Sequence, residues 1–269
     1  MSSSNVPQIF SPKRKAFARL RSSLSELFEY RTYHFDAWMI DDIAERIEFV
    51  RHVPAYALLD GRGSSSRFVH QLGVQPAFQH NFDVDLDQPL AVRPASFDTV
   101  ISVGTLDTVN DLPGALIQIR ELLMPGGLAI ASFVGGTSLP KLRTALLAAD
   151  EDRPAARLHP MIDTRACPDL LQRAGWKSPV VDSHTITARY PDLQSLAIDL
   201  RSHGWTNTLR SVPPALSKAA KKRAERAFRD QADHDGLISE TFEIITLTGW
   251  REGELPSPSE RPVPQPIVR

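Results

Sequence analysis

The chain has 269 residues, enough for one large domain or a domain with an appended part. Its formal net charge of −1 gives no overall electrostatic pull toward DNA or an anionic membrane. A single cysteine, Cys167, excludes an internal disulfide framework and any multi-cysteine metal site, and no apolar run approaches the ~20 residues that span a bilayer.

No acidic residue precedes Glu26, while Lys13, Arg14, Lys15, Arg19 and Arg21 cluster among serines. That composition suits an organelle-targeting segment or a basic helix. The helical spacing of Phe17, Leu20, Leu24, Leu27 and Phe28 favours a helix packed by that stripe. Residues 36–51 repeat with a helical period that puts Met39, Ile43, Ile47 and Val50 on one face. "AYALL" (55–59) and "SFDTVISV" (96–103) read as buried strands. "DLPGALIQIRELLMPGG" is a helix with Pro113 near its start, a Leu116, Ile119 and Leu123 stripe, and a Pro125-Gly126-Gly127 stop. "LAIASFVGG" (128–136) follows as a strand buried on both faces. Strand, helix, strand in this order implies a parallel sheet with crossover helices.

Helices are predicted over 139–150, 169–176, 193–205 and 215–232, and strands over 180–190 and 239–250. The proline-dense stretch from Arg251 carries no apolar period and reads as a disordered tail. The organisation expected is therefore an N-terminal helical segment (1–52), an α/β domain (53–250) and the tail (251–269).

Polar clusters outside the strands are few. His159, Asp163 and Arg165 in "HPMIDTR" form either a polar site or a loop ion pair with a helix cap. The eight histidines show no metal-ligand spacing, so no metal site is expected. Cys167 has no basic partner nearby in sequence, which suits an inert thiol. The basic helix holding Lys218, Lys221, Lys222, Arg223, Arg226 and Arg229 is either a solvated face or a surface for RNA or an acidic partner. No interleaved aromatic platform supports the RNA reading.

One stretch carries the functional question. In "LLDGRGSSS" (58–66) an apolar strand breaks into Asp60, Gly61, Arg62 and Gly63, a turn of the kind where α/β proteins hold nucleotide-like cofactors. Downstream, the run from Phe97 to Gly136 resembles the fourth and fifth strands of class I S-adenosylmethionine-dependent methyltransferases. "VNDLPGAL" and "TFEIITLTGW", with "IFSPKRKAFARLRSS" and "DIAERIEFV", are similar to the branch of respiratory complex I assembly methyltransferase-like proteins. The biotin-pathway carrier-protein O-methyltransferases resemble it more distantly. The resemblance spans most of residues 9–250.

That resemblance implies an α/β, methyltransferase-like (Rossmann-like) three-layer sandwich. Its sheet would be mainly parallel, with an antiparallel last strand and one strand fewer than the family. It implies S-adenosylmethionine as cofactor, touching Asp60, Gly61, Gly63 and Asp85, and assigns no catalytic residue. Three positions depart from the family pattern. Leu59 stands where the acid at the end of the first strand belongs, with Asp60 one place late, which on a strand means the opposite face. A βαβ unit takes about 30 residues, and the chain from Gly63 to Phe97 has room for one such unit where the family has two, so the ribose-gripping carboxylate has no counterpart. Asp107-Thr108 replace a common His-Trp pair. Two functions remain open: a methyltransferase acting on a protein or small acid, and a non-catalytic assembly or interaction protein that keeps the fold. The partner expected is a protein substrate or an assembly partner and not DNA, no membrane span is expected, and the location expected is cytoplasmic.

Overall fold

The structure is a computed structural model, and it describes residues 6–27, 35–61, 85–90, 92–151, 154–257, 259–261 and 263. Arg62, Gly63 and the stretch 64–84, most of the segment with room for one βα unit before Phe97, lie outside the described residues.

Helix α1 (Pro12–Leu27) and helix α2 (Phe35–Phe49) precede strand β1 (Ala57–Gly61). Strand β2 (Phe97–Val103), helix α3 (Leu112–Leu122) and strand β3 (Leu123–Val134) form the strand–helix–strand unit expected from the sequence. Helix α4 (Pro140–Ala149), helix α5 (Cys167–Ala174), strand β4 (Lys177–Tyr190), helix α6 (Leu193–Ser202), helix α7 (Lys218–Arg229) and strand β5 (Ile238–Trp250) complete the chain order.

The sheet order is β1-β2-β3-β5-β4. β1, β2 and β3 pair in parallel, and β5 lies antiparallel between β3 and β4. The last strand is thus antiparallel, as the resemblance implies, and it is inserted inside the sheet while β4 forms the edge. Among the described residues no helix is long and apolar enough to cross a membrane.

Strand alternation divides the core into two layers. Leu59, Ile101, Ile130 and Ile244 face α2, α4, α6 and α7, where Met39, Ile43, Leu142, Leu196 and Phe228 meet them. Leu58, Val100, Phe133 and Ile245 face α3 and α5, against Leu116, Ile119 and Leu171. Helix ends are closed by local side chains. Asp111 accepts from Gly114 N at 2.9 Å at the start of α3, and Gly175, at φ 76°, ends α5. Glu240 on β5 reaches across to accept from Leu142 N at 2.7 Å, setting a carboxylate on the first turn of α4.

Three expectations need correction. Strand β1 runs to Gly61, so Asp60 and Gly61 belong to the strand and not to the turn. Strand β3 begins at Leu123, directly after α3, and takes in Pro125-Gly126-Gly127 as an irregularity: Phe97 pairs with Leu123 and Thr99 with Leu128, so a step of two residues on β2 faces a step of five on β3. Gly126 sits there at φ 73°, and a Cβ on it would collide with the backbone of Leu255. The third correction concerns α1. Phe17, Leu20 and Leu24 are exposed, and the helix is docked through Lys15, Ala18 and Ser22 instead. Periodicity fixed the stripe but not the side of the helix that meets the body.

The stretch after Arg251, expected to be a disordered tail, touches the sheet at the described positions. Arg251 donates to Leu123 O at 2.6 Å, and Arg261 donates to the fully buried Asp98 at 2.9 Å.

Candidate functional site

In open α/β sheets the ligand crevice lies outside the carboxyl ends of the parallel strands. Here those ends are Gly61 of β1, Val103 of β2 and Val134 of β3. Buried polar groups stand at these ends, and a hydroxyl or carboxylate buried there must find a partner.

Asp60 is 3% exposed and points to the α3 side of the sheet, with its register partner Ser102. Its Oδ2 accepts from Ser102 Oγ at 3.2 Å and from Thr105 Oγ1 at 2.5 Å, and the two hydroxyls lie 2.7 Å apart. Gly104, at φ 67°, turns the chain between them and donates to Ser132 O at 2.7 Å. A short 3-10 turn, Leu106–Thr108, follows with Asp107 and Thr108 both buried. Leu59 projects to the opposite, apolar side. Strand alternation therefore operates as expected, and the carboxylate is built into the base of the β2–α3 loop.

Asp85 lies elsewhere in the network. Lys15 of α1, 5% exposed, stands 3.0 Å from Asp85 Oδ1 and 2.5 Å from Asp87 Oδ2. Asp87 also accepts from Asn110 N at 2.6 Å and Asn110 Nδ2 at 2.8 Å. Burial pushes the Asp87 carboxyl upward, but the Lys15 ammonium and the Asn110 donors outweigh it and hold the group below its ordinary value. Phe10 N donates to Asn110 Oδ1 at 2.8 Å, so the N-terminal segment is fastened to the loop that follows β2.

A second polar group stands at the carboxyl end of β3. Glu243 of β5 accepts from Thr164 Oγ1 at 2.5 Å, Thr137 N at 2.9 Å and Thr137 Oγ1 at 2.9 Å. Gly135 makes room for it, since a Cβ there would stand 2.7 Å from Glu243 Oε2. Nearby, Cys167 is buried and its thiol is pushed up to about 11, by burial first and then by the Glu243 and Asp163 carboxylates. It is no nucleophile at neutral pH. Asp163 and Arg165 form an exposed ion pair at 2.6 Å, and Asp163 caps the turn that leads into α5 by accepting from Arg165 N. His159 packs edge-on against Phe10, with ring centroids 5.6 Å apart.

Of the residues predicted for the site, Asp60, Gly61 and Asp85 are described and Gly63 is not. Sequence reasoning missed Ser102, Thr105 and Lys15. A serine inside the apolar run "FDTVISV" was a legible signal for the first of these, because a buried strand hydroxyl needs a partner. Among the described residues no group of three or more His, Cys, Asp or Glu side chains could hold a metal ion.

The described wall can accept hydrogen bonds and offset positive charge, which suits the sulfonium and amine of S-adenosylmethionine at Asp60. It fits the ribose poorly. A diol needs a carboxylate able to take both hydroxyls, and Asp85 and Asp87 are committed to Lys15 and Asn110.

A family model described as a methyltransferase domain matches residues 23–181, more than half of the chain. The arginine-hydroxylase NDUFAF5 of Homo sapiens, titled mitochondrial, is 32% identical over 177 residues, covering 64% of this chain and 51% of that protein. A malonyl-[acyl-carrier protein] O-methyltransferase of Xylella fastidiosa (strain M23) is 31% identical over 162 residues, covering 60% and 54%. The chain spans about half the length of the curated relatives it matches. Among solved structures, a SAM-dependent methyltransferase of Thermotoga maritima aligns with a TM-score of 0.47 at 14% identity, covering 88% of this chain and all of that one. With the family model spanning residues 23–181 and the β1-β2-β3-β5-β4 sheet beneath it, the chain belongs to the S-adenosylmethionine-dependent methyltransferase family.

Proposed function

We propose that this protein keeps the methyltransferase scaffold with a weakened cofactor site and acts mainly by binding a protein partner. The observation that carries this reading is that Lys15 pairs with Asp85, a carboxylate assigned to the cofactor, and with Asp87 beside it. Methyl transfer depends on aligning a nucleophile with the methyl sulfonium, and it needs little further chemistry from the protein. Weak binding and poor alignment therefore have the same cause. A hydrogen bond to a charged group is worth roughly 1.5–3 kcal/mol, so losing the ribose contacts costs on the order of a hundredfold in affinity.

One feature favours a second reading, an active methyltransferase acting on a protein or small acid. Asp60 is already ordered by its two hydroxyl partners at the carboxyl end of β1, ready to face a cation without further rearrangement. The named relatives divide between an arginine hydroxylase and an O-methyltransferase that acts on a malonyl group borne by acyl-carrier protein. We extend to this chain only what the second name shares with the first reading, a protein-borne partner. A cytoplasmic location accords with a lone, buried thiol, as does any other reducing compartment.

Calorimetric titration with S-adenosylmethionine and S-adenosylhomocysteine separates the two readings. Dissociation constants weaker than about 100 μM support the weakened site. Micromolar binding that Asp60→Ala abolishes supports the enzyme.

A further inference from the structure

We propose that the hollow between α1 and α6 is a binding site for a small phosphate ester, separate from the cofactor crevice. The hollow has a volume of about 400 Å³ and is lined by Arg14, Phe17 and Arg21 of α1, Arg201 of α6, and Thr206 and Asn207 beyond it. Three arginines thus line one cavity, and among the described residues no Asp or Glu lines it. Among the described residues, none of the three arginines forms an ion pair.

Their existing hydrogen bonds leave donors to spare. Arg14 gives two nitrogens to the Leu209 and Asn207 carbonyls, at 3.1 and 2.7 Å. Arg21 gives one nitrogen to Thr206 Oγ1 at 2.9 Å, while its Nε is buried with no partner. A buried donor without an acceptor is uncommon, because its desolvation goes uncompensated. Burial first, then the charges of Arg201 and Arg14, lowers the Arg21 pKa from its usual value, the direction expected where like charges crowd together. An anion between the three arginines relieves the repulsion.

The chemistry selects phosphate. Guanidinium forks match phosphate oxygens bidentately, and a phosphate monoester carries nearly two charges and three acceptor oxygens to set against three cations. A single carboxylate brings one charge and two oxygens. Phe17 adds the organic part of the site. It is 51% exposed on the lining, with Lys13 Nζ 5.9 Å from its ring centre, so a ring attached to the phosphate can rest against it.

Calorimetric titration of the full chain with phenyl phosphate, inorganic phosphate and acetate tests the assignment. Phenyl phosphate should bind at about 1 mM or tighter, inorganic phosphate more weakly, and acetate not measurably. Arg201 is exposed on the surface of α6, so Arg201→Gln should leave the fold intact, as a thermal melt will check, while weakening both phosphates about tenfold. Phe17→Ala should bring phenyl phosphate down to the level of inorganic phosphate. No binding by the native chain, equal or tighter binding of acetate, or unchanged affinity in folded Arg201→Gln would overturn the proposal. Unchanged affinity for phenyl phosphate in Phe17→Ala would overturn the role given to the ring.

Discussion

Lys15 lies 3.0 Å from Asp85, so a helix near the N-terminus neutralises a carboxylate that the family resemblance assigns to the cofactor. The same ammonium serves Asp87, which in turn holds the backbone and side chain of Asn110. One buried cation thereby joins α1, the 85–87 segment and the loop after β2.

Removing that cation leaves two carboxylates unpaired, one of them almost wholly buried. Lys15→Met should lower stability by about 3 kcal/mol or more, since breaking a buried pair strands the remaining charge. The urea midpoint of unfolding measures this. A change below about 0.5 kcal/mol, typical of surface substitutions, would show that α1 is not anchored through Lys15.

The Asp87 pair also sets a pH dependence. Its folded-state value lies below the ordinary 3.8. Its stabilising contribution is therefore complete above that ordinary value and is lost as the pH falls through the folded-state one. Between about pH 5 and about pH 3 the wild type should lose more stability than Asp87→Asn. Parallel slopes for the two proteins would contradict the assignment.

Thr105→Val keeps the shape of the side chain but removes the 2.5 Å donor to Asp60. The buried carboxylate then relies on Ser102 and its other contacts, and the loss should be roughly 1.5–3 kcal/mol. Ser102→Ala should cost less, because its bond is longer at 3.2 Å. Denaturant unfolding of the two variants checks the order, and the reverse order would refute this geometry.

The run of elements was legible in the sequence because strands buried on both faces read as continuous apolar stretches, and Pro113, Gly175 and the serine and aspartate caps punctuate the helices. The polar groups at the strand ends were legible only in part. Asp60 meets Ser102 and Thr105 across 42 and 45 residues of chain, and Lys15 meets Asp85 across 70, distances that no local period encodes. The apolar stripe of α1 misled for a related reason. Phe17, Leu20 and Leu24 keep helical spacing, yet the helix docks through a buried lysine and small residues, with its larger apolar side chains turned outward.

The proline-rich stretch shows the same limit. Composition offers no core for it, but Arg261 places its guanidinium on Asp98, which also accepts from Ala55 N and Tyr56 N at 3.0 and 2.9 Å. Arg261→Met should cost roughly 1.5–3 kcal/mol, and truncation after Glu254 at least as much. Thermal melts of both should shift downward together. A truncated chain that melts like the full one would show that this contact contributes nothing.

The most direct test of the weakened cofactor site is calorimetric titration of the full chain with S-adenosylmethionine. The pairing of Asp85 and Asp87 with Lys15 predicts a dissociation constant weaker than about 100 μM, equivalent to about −5.5 kcal/mol or less favourable. A micromolar constant, lost in Asp60→Ala, would contradict it.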